Sequence, residues 1–193
     1  MASSRRKGIA ACGHAGIVLP LFLLCVQGYC QVKDASAMVG CVFPEHVFNN
    51  VHHFNGSEIK TTMNVRQFQG KWVILDFWTR SCGPCIRTFP ILNELQKQFS
   101  EQVQVILVGI NDMYNWQTES YFEGVRTAQM LELPVAYDSV LWRKLDFFTV
   151  PTAVVINPGG IIHDIVPTGE IDAGRLQSMM NRDAGLISLV CDK

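Results

Sequence analysis

The chain has 193 residues, 48% of them hydrophobic and 17% charged, enough for one folded domain with a core and too apolar for wholesale disorder. Its net charge of -1 lacks the basic excess that nucleic-acid binding requires. Seven unevenly spaced cysteines are too few for a disulfide-scaffold miniprotein.

Residues 1–30 read as a separate segment. Arg5, Arg6 and Lys7 are followed by no charged residue until Lys33. Gly16 to Val26 is an apolar run, and Gly28 and Cys30 put small residues where an export peptidase reads. This is a signal-peptide pattern, with cleavage expected between Cys30 and Gln31. The alternative is an uncleaved membrane anchor over residues 8–29, long enough to span a bilayer but interrupted by Pro20 and several glycines. In both readings the positive end stays inside and the rest is exported. Losing three positive charges leaves 13 basic against 17 acidic residues, a net of -4, and four cysteines: Cys41, Cys82, Cys85 and Cys191. The implied compartment is oxidising, where unprotected thiols become disulfides.

Residues 31–41 are polar and irregular and are expected to be a linker to a domain over 42–183, with 184–193 as a tail. A short strand within Cys41–Phe54, the Asn55-Gly56 turn dipeptide and a return over 57–62 predict a hairpin. Trp72–Trp78 is a nearly continuous apolar run of strand length, as in a buried central strand. Ser81–Phe99 predicts a helix with Ile86, Phe89, Leu92 and Leu95 on one face. Val103–Ile110 is a second buried strand. Thr118–Leu131 predicts a helix with Tyr121, Val125 and Met130 turned inward; Pro134–Tyr137 a short strand; Val140–Phe147 a short helix. Thr152–Ile156 and Ile161–Val166, joined through Pro158-Gly159-Gly160, predict a closing hairpin, and Ile171–Asn181 a last helix. Strands alternating with helices and ending in a hairpin indicate an α/β sandwich with a mixed sheet.

Cys82-Gly83-Pro84-Cys85 lies directly after a buried strand and opens a helix, the setting of a redox CxxC motif. Unpaired N–H groups at a helix N-terminus favour negative charge, so the Cys82 thiolate is stabilised and Cys82 is the expected nucleophile. Cys85, one turn further in, is expected to resolve the mixed disulfide by attacking Cys82. Pro84 suits a first-turn position because it has no N–H to leave unpaired. CxxC is also half of a zinc site, but no second CxxC and no HxxxH pair accompanies it.

Leu75-Asp76-Phe77-Trp78 followed by Cys82-Gly83-Pro84-Cys85 resembles the active-site strand and turn of thioredoxins, Pro90 matches the proline of their active-site helix, and Thr149-Val150-Pro151-Thr152 resembles their cis-proline loop. The signal pattern, Gly70-Lys71 before the strand and the 66 residues from Cys85 to Pro151 narrow the resemblance to exported TlpA-like thiol–disulfide oxidoreductases, with the extra residues near 111–138 as an inserted helix and strand. The resemblance implies a thioredoxin-like three-layer sandwich: a mixed central sheet with helices on both faces. It implies that Asp76, otherwise costly in an apolar strand, relays the proton of Cys85. It implies a cis Pro151 facing the motif and keeping metals off the thiols, and a Val150 backbone that pairs with substrate. Gly83, Pro84 and Gly169 are expected to line the substrate surface, and Trp78 either joins them or belongs to the core. No cofactor is expected, and the protein is expected to act as a periplasmic monomer. Its implied partners are protein disulfides as substrates and a membrane thiol transporter as electron donor.

Ser81 departs from the family, which often has tryptophan there, so substrate choice does not carry over. Thr79-Arg80-Ser81-Cys82 also imitates a peroxiredoxin T-x-x-C signature, although Leu75 stands where its proline would be; a thiol peroxidase using Cys82 is the enzymatic alternative. Cys41 and Cys191, near the two ends of the domain, are either a stapling disulfide or two separate thiols. His46, His52 and His53 are expected at the surface; copper or protein binding without turnover is the non-enzymatic alternative.

Overall fold

The computed structural model describes residues 35–54, 61–110, 117–147 and 149–191, with side chains described within 37–183. The expected signal segment and the Asn55-Gly56 turn lie outside the described residues. The strands are β1 (Val47–His52), β2 (Thr61–Asn64), β3 (Trp72–Trp78), β4 (Val103–Gly109), β5 (Val135–Tyr137), β6 (Thr152–Ile156) and β7 (Ile162–Val166). The helices are α1 (Gly83–Gln98), α2 (Thr118–Gln129), α3 (Ser139–Leu145) and α4 (Ala173–Cys191), the last running through the expected tail. One mixed sheet has the order β2-β1-β5-β4-β3-β6-β7. β3 pairs in parallel with β4 and antiparallel with β6, which puts it at the centre.

All seven residues of β3 are buried because both faces are covered. Side chains alternate across a strand. Trp72, Ile74 and Trp78 therefore join the core under α1, α2 and α4, with Phe89, Leu92, Phe122, Leu176 and Met179. Val73, Leu75 and Phe77 join the opposite core, with Leu141 and Leu145 of α3. These are the three layers expected for a thioredoxin-like sandwich. Among the described residues no helix is long and apolar enough to cross a membrane.

Two details differ from expectation. Residues 35–41, expected as linker, hold a short 3-10 turn (Ala35–Met38) and bond to the closing hairpin: Gly40 N–H donates to the Ile162 carbonyl at 2.8 Å and Ile162 N–H to the Cys41 carbonyl at 2.9 Å. In α2 the inward residue is Phe122, fully buried, whereas Tyr121 and Met130 are 41% and 80% exposed. One position is a rotation of about 100° on a helix, and the larger apolar ring takes the core. Met130 has left the helical face altogether, as a left-handed C-cap with φ of 50°. As expected, Pro90 sits inside α1, where its missing N–H leaves the Ile86 carbonyl without its helical donor. Gln129, the last residue of α2, supplies a replacement, its Nε2 donating to the Ile86 oxygen at 3.3 Å.

The end of β4 tolerates no side chain. A Cβ on Gly109 would lie 2.9 Å from Tyr137 Cδ1, 3.0 Å from Trp78 Cζ2 and 3.2 Å from Thr118 Cγ2. All three are parts of a packed core, so Gly109→Ala is expected to cost about 1–3 kcal/mol. The check is a lower urea midpoint with an unchanged m-value; a wild-type midpoint would show that the rings move aside freely.

Candidate active site

β3 delivers the chain to the N-terminus of α1, where Cys82 is the N-cap residue. Its sulfur accepts a hydrogen bond from the Cys85 N–H at 3.2 Å, satisfying one of the helix's first unpaired donors. Cys82 and Cys85 are joined by a disulfide, with Cα atoms 5.3 Å apart. The two differ in access: Cys82 is 8% exposed and Cys85 fully buried. Gly83 and Pro84, between them, are exposed, so the ring is open to a partner on one side only.

Asp76 follows Ile74 and precedes Trp78 on the face of β3 that α1 covers. Across the sheet it pairs with Leu107 of β4 and Ala153 of β6, both members of the same apolar cluster as the two cysteines. The carboxyl is completely buried, and burial pushes it up to about 7 from an ordinary 3.8. A hydrogen bond from Thr168 Oγ1 to Oδ1, 2.5 Å long, offsets part of that rise. Among the described residues Oδ2 has no hydrogen-bond partner. The group is therefore poised to take up or release a proton near neutral pH. Thr168 belongs to a 3-10 turn, Thr168–Glu170, just after β7, and nothing in the sequence singled it out.

The Val150–Pro151 peptide bond is cis. It immediately precedes β6, whose first residue Thr152 pairs with Phe77 near the end of β3, the end from which the chain runs on to Cys82. Val150 is half-buried and packs on both cores. Gly169 is exposed, and the space a Cβ would occupy there is open.

Several expected site residues are placed elsewhere. Trp78 is not a substrate contact: it is fully buried, its ring packed against Phe89 and Phe122 at centroid distances of 5.3 Å each. Of the two readings for Cys41, the structure has a free, exposed thiol; its sulfur faces the Ala37 carbonyl at 3.9 Å, within its own turn. The Cys191 side chain lies outside the described residues. The histidines are not simple surface residues. His46 Nε2 meets Asp138 Oδ2 at 2.6 Å and His53 Nε2 meets Glu123 Oε1 at 2.8 Å, with only about a tenth of either histidine side chain exposed. His52 pairs with Asn50 Oδ1 at 2.9 Å. Among the described residues no group of three or more His, Cys, Asp or Glu side chains is placed to hold a metal ion.

A family model described as thioredoxin-like matches residues 70–162. The chain is 28% identical over 171 residues to thiol-disulfide oxidoreductase ResA of Bacillus subtilis (strain 168), an alignment covering 83% of this chain and 87% of that protein. It is 29% identical over 106 residues to NHL repeat-containing protein 2 of Gallus gallus, covering 52% of this chain but spanning only 14% of that relative's length. Among solved structures, a putative thiol:disulfide interchange protein DsbE from Chlorobium tepidum superposes with a TM-score of 0.55 at 22% identity, covering 67% of this chain and 84% of that one; this likeness concerns the fold. With its mixed sheet, its cystine at a helix N-terminus and its match over residues 70–162, the chain carries a thioredoxin-like domain.

Proposed function

We propose that this chain is an exported thiol–disulfide oxidoreductase that reduces protein disulfides through Cys82 and Cys85. One observation carries the reading: a bonded CxxC pair at a helix N-terminus, one cysteine slightly exposed and the other fully buried on the face of the sheet that holds an ionisable carboxyl. The likeness to the thiol-disulfide oxidoreductase of Bacillus subtilis, which aligns along most of both chains, agrees with it. Export rests on the sequence pattern of residues 1–30.

In the dithiol form the helix N-terminus favours the Cys82 thiolate, which attacks a substrate disulfide. One substrate sulfur leaves as a thiol, and the other stays bonded to Cys82. Asp76 takes the proton of Cys85, and the Cys85 thiolate then attacks Cys82 Sγ. That step closes the intramolecular disulfide and releases the second substrate thiolate, which is protonated from Asp76 or solvent. Two electrons have passed from the cysteine pair to the substrate, and a membrane thiol transporter is the proposed source of their replacement. The cis-Pro151 loop, at the same end of β3, offers the Val150 backbone to an extended substrate segment.

The test is insulin reduction with dithiothreitol, together with Cys85→Ser. Wild type should accelerate insulin precipitation. Cys85→Ser should lose turnover and accumulate a mixed disulfide at Cys82, visible by mass spectrometry and released by reductant. Absence of both the acceleration and the adduct would rule the proposal out.

A further inference from the structure

We propose that Thr168 is the positioning residue of the proton relay: by donating its hydroxyl hydrogen to Asp76 Oδ1 it leaves Oδ2 as the oxygen that exchanges a proton with Cys85. The inference deepens the reading above and rests on Asp76 being the relay. Three observations lead to it. Thr168 is 1% exposed and Asp76 fully buried, so their hydrogen bond is sheltered from water. Among the described residues Thr168 Oγ1 is the one hydrogen-bond donor to this carboxyl, and Oδ2 is left bare. Thr168 is delivered by a separate element, 92 residues away in sequence, whose carbonyl and N–H groups close their own turn: Ile171 N–H bonds the Thr168 carbonyl at 3.0 Å. The threonine is thus fixed independently of β3, and its hydroxyl holds the carboxyl plane from outside the strand.

A buried carboxyl with one oxygen accepting a hydrogen bond keeps its exchangeable proton on the other. In the resolving step the Cys85 S–H bond breaks, the proton passes to Oδ2, and the electron pair left on sulfur forms the bond to Cys82 Sγ while the Cys82–substrate bond breaks. No further reactant is needed. The hydroxyl also sets the pH at which this transfer is balanced, because a donor favours the carboxylate over the acid. The surroundings leave little else to do so. β4 and β6 present Leu107 and Ala153, α1 presents Phe89 and Leu92 with the two cysteines, α2 presents Phe122, and α4 presents Leu176 and Met179. Tyr137, on β5 two strands away, is held protonated by burial. Glu170 and Arg175, on the same turn and the next helix, are ion-paired with each other at the surface at 2.7 Å.

The experiment follows the Asp76 carboxyl carbon by NMR through a pH titration of the oxidised protein, and in parallel the pH dependence of single-turnover resolution by Cys85. Thr168→Val keeps the shape and removes the donor; its carboxyl midpoint should rise by about one to two pH units. Resolution at pH 7 should slow by about fivefold or more as the base form is depleted, and recover at alkaline pH. Thr168→Ser restores the donor and should return both midpoints towards wild type. Thr168→Ala serves if the valine variant does not fold. An unmoved carboxyl midpoint in a folded donor-less variant, or no rescue by serine, overturns the role of Thr168. The relay itself is judged separately by Asp76→Asn: if that variant resolves with the wild-type pH profile, Asp76 is no relay, whatever the Thr168 titrations give.

Discussion

Replacing Cys82 with serine is expected to lower the rate of insulin reduction by at least about a thousandfold, because the step that opens the substrate disulfide needs a thiolate with a second cysteine beside it to resolve the adduct, and the exposed thiol of Cys41 is not paired with one. Cys85 cannot stand in. It is fully buried inside the first turn of α1, and a disulfide from a second protein has no route to it. Cys82 is at the boundary, with its sulfur at the tip of the helix, where the aligned peptide dipoles and the Cys85 N–H favour negative charge. The asymmetry has a second readout. After reduction, brief exposure to iodoacetamide at neutral pH should label Cys82 and spare Cys85, with peptide mass mapping as the measure. Retained turnover in Cys82→Ser, or equal labelling of the two cysteines, would mean that the surface sulfur is not the nucleophile.

The parts of this architecture that were legible in the sequence are those dictated by local pattern. Trp72–Trp78 could be bounded to the residue because a strand covered on both faces is an apolar run with sharp polar ends, and Asp76 stood out inside it as the one charge. The start of α1 was legible because Cys82, Gly83 and Pro84 combine a capping side chain with a proline that has no N–H to place. What could not be read depends on contacts far apart in the chain. Thr168 gains its role only because the β6–β7 hairpin and the turn after it bring it against β3, and a lone threonine has no period or spacing to announce that. His46 and His53 looked like surface residues because nothing near them in sequence pairs with them; Asp138 and Glu123 lie 92 and 70 residues away. The resemblance left Trp78 between the substrate surface and the core, and the even positions of β3 point beneath α1, so Trp78 is core. The inward face of α2 was misjudged by one residue because Tyr121 and Phe122 are adjacent aromatics, and only the packing against Trp78 and Phe89 decides between them.

The oxidised protein is expected to lose stability as pH rises from about 4 to about 7, and Asp76→Asn is expected to remove most of that loss. The sign follows from the proton count. In the unfolded chain Asp76 ionises near an ordinary 3.8, whereas in the fold burial holds it protonated up to about 7. Between those values the native state binds a proton that the unfolded state has released, so unfolding becomes easier with each step up in pH. A displacement of about three units corresponds to about 4 kcal/mol at pH 8, a large share of the stability of a domain of this size. The disulfide keeps Cys82 and Cys85 from titrating, so the comparison is clean in the oxidised form. Urea midpoints of wild type and Asp76→Asn, measured from pH 4 to 8, should diverge with rising pH. The variant should be the more stable by about 2–4 kcal/mol at the alkaline end, since a neutral amide can still accept from Thr168 without the cost of a buried charge. Parallel curves would mean that water reaches the carboxyl and that it ionises as an exposed acid does. The divergence matters for function because a leucine at this position would complete an unbroken apolar strand and remove the penalty. A carboxyl kept at the centre of the sheet, against several kilocalories, is held there by chemistry that a stable core does not need, and among the described residues the one reactive bond buried on its face is that between Cys82 and Cys85.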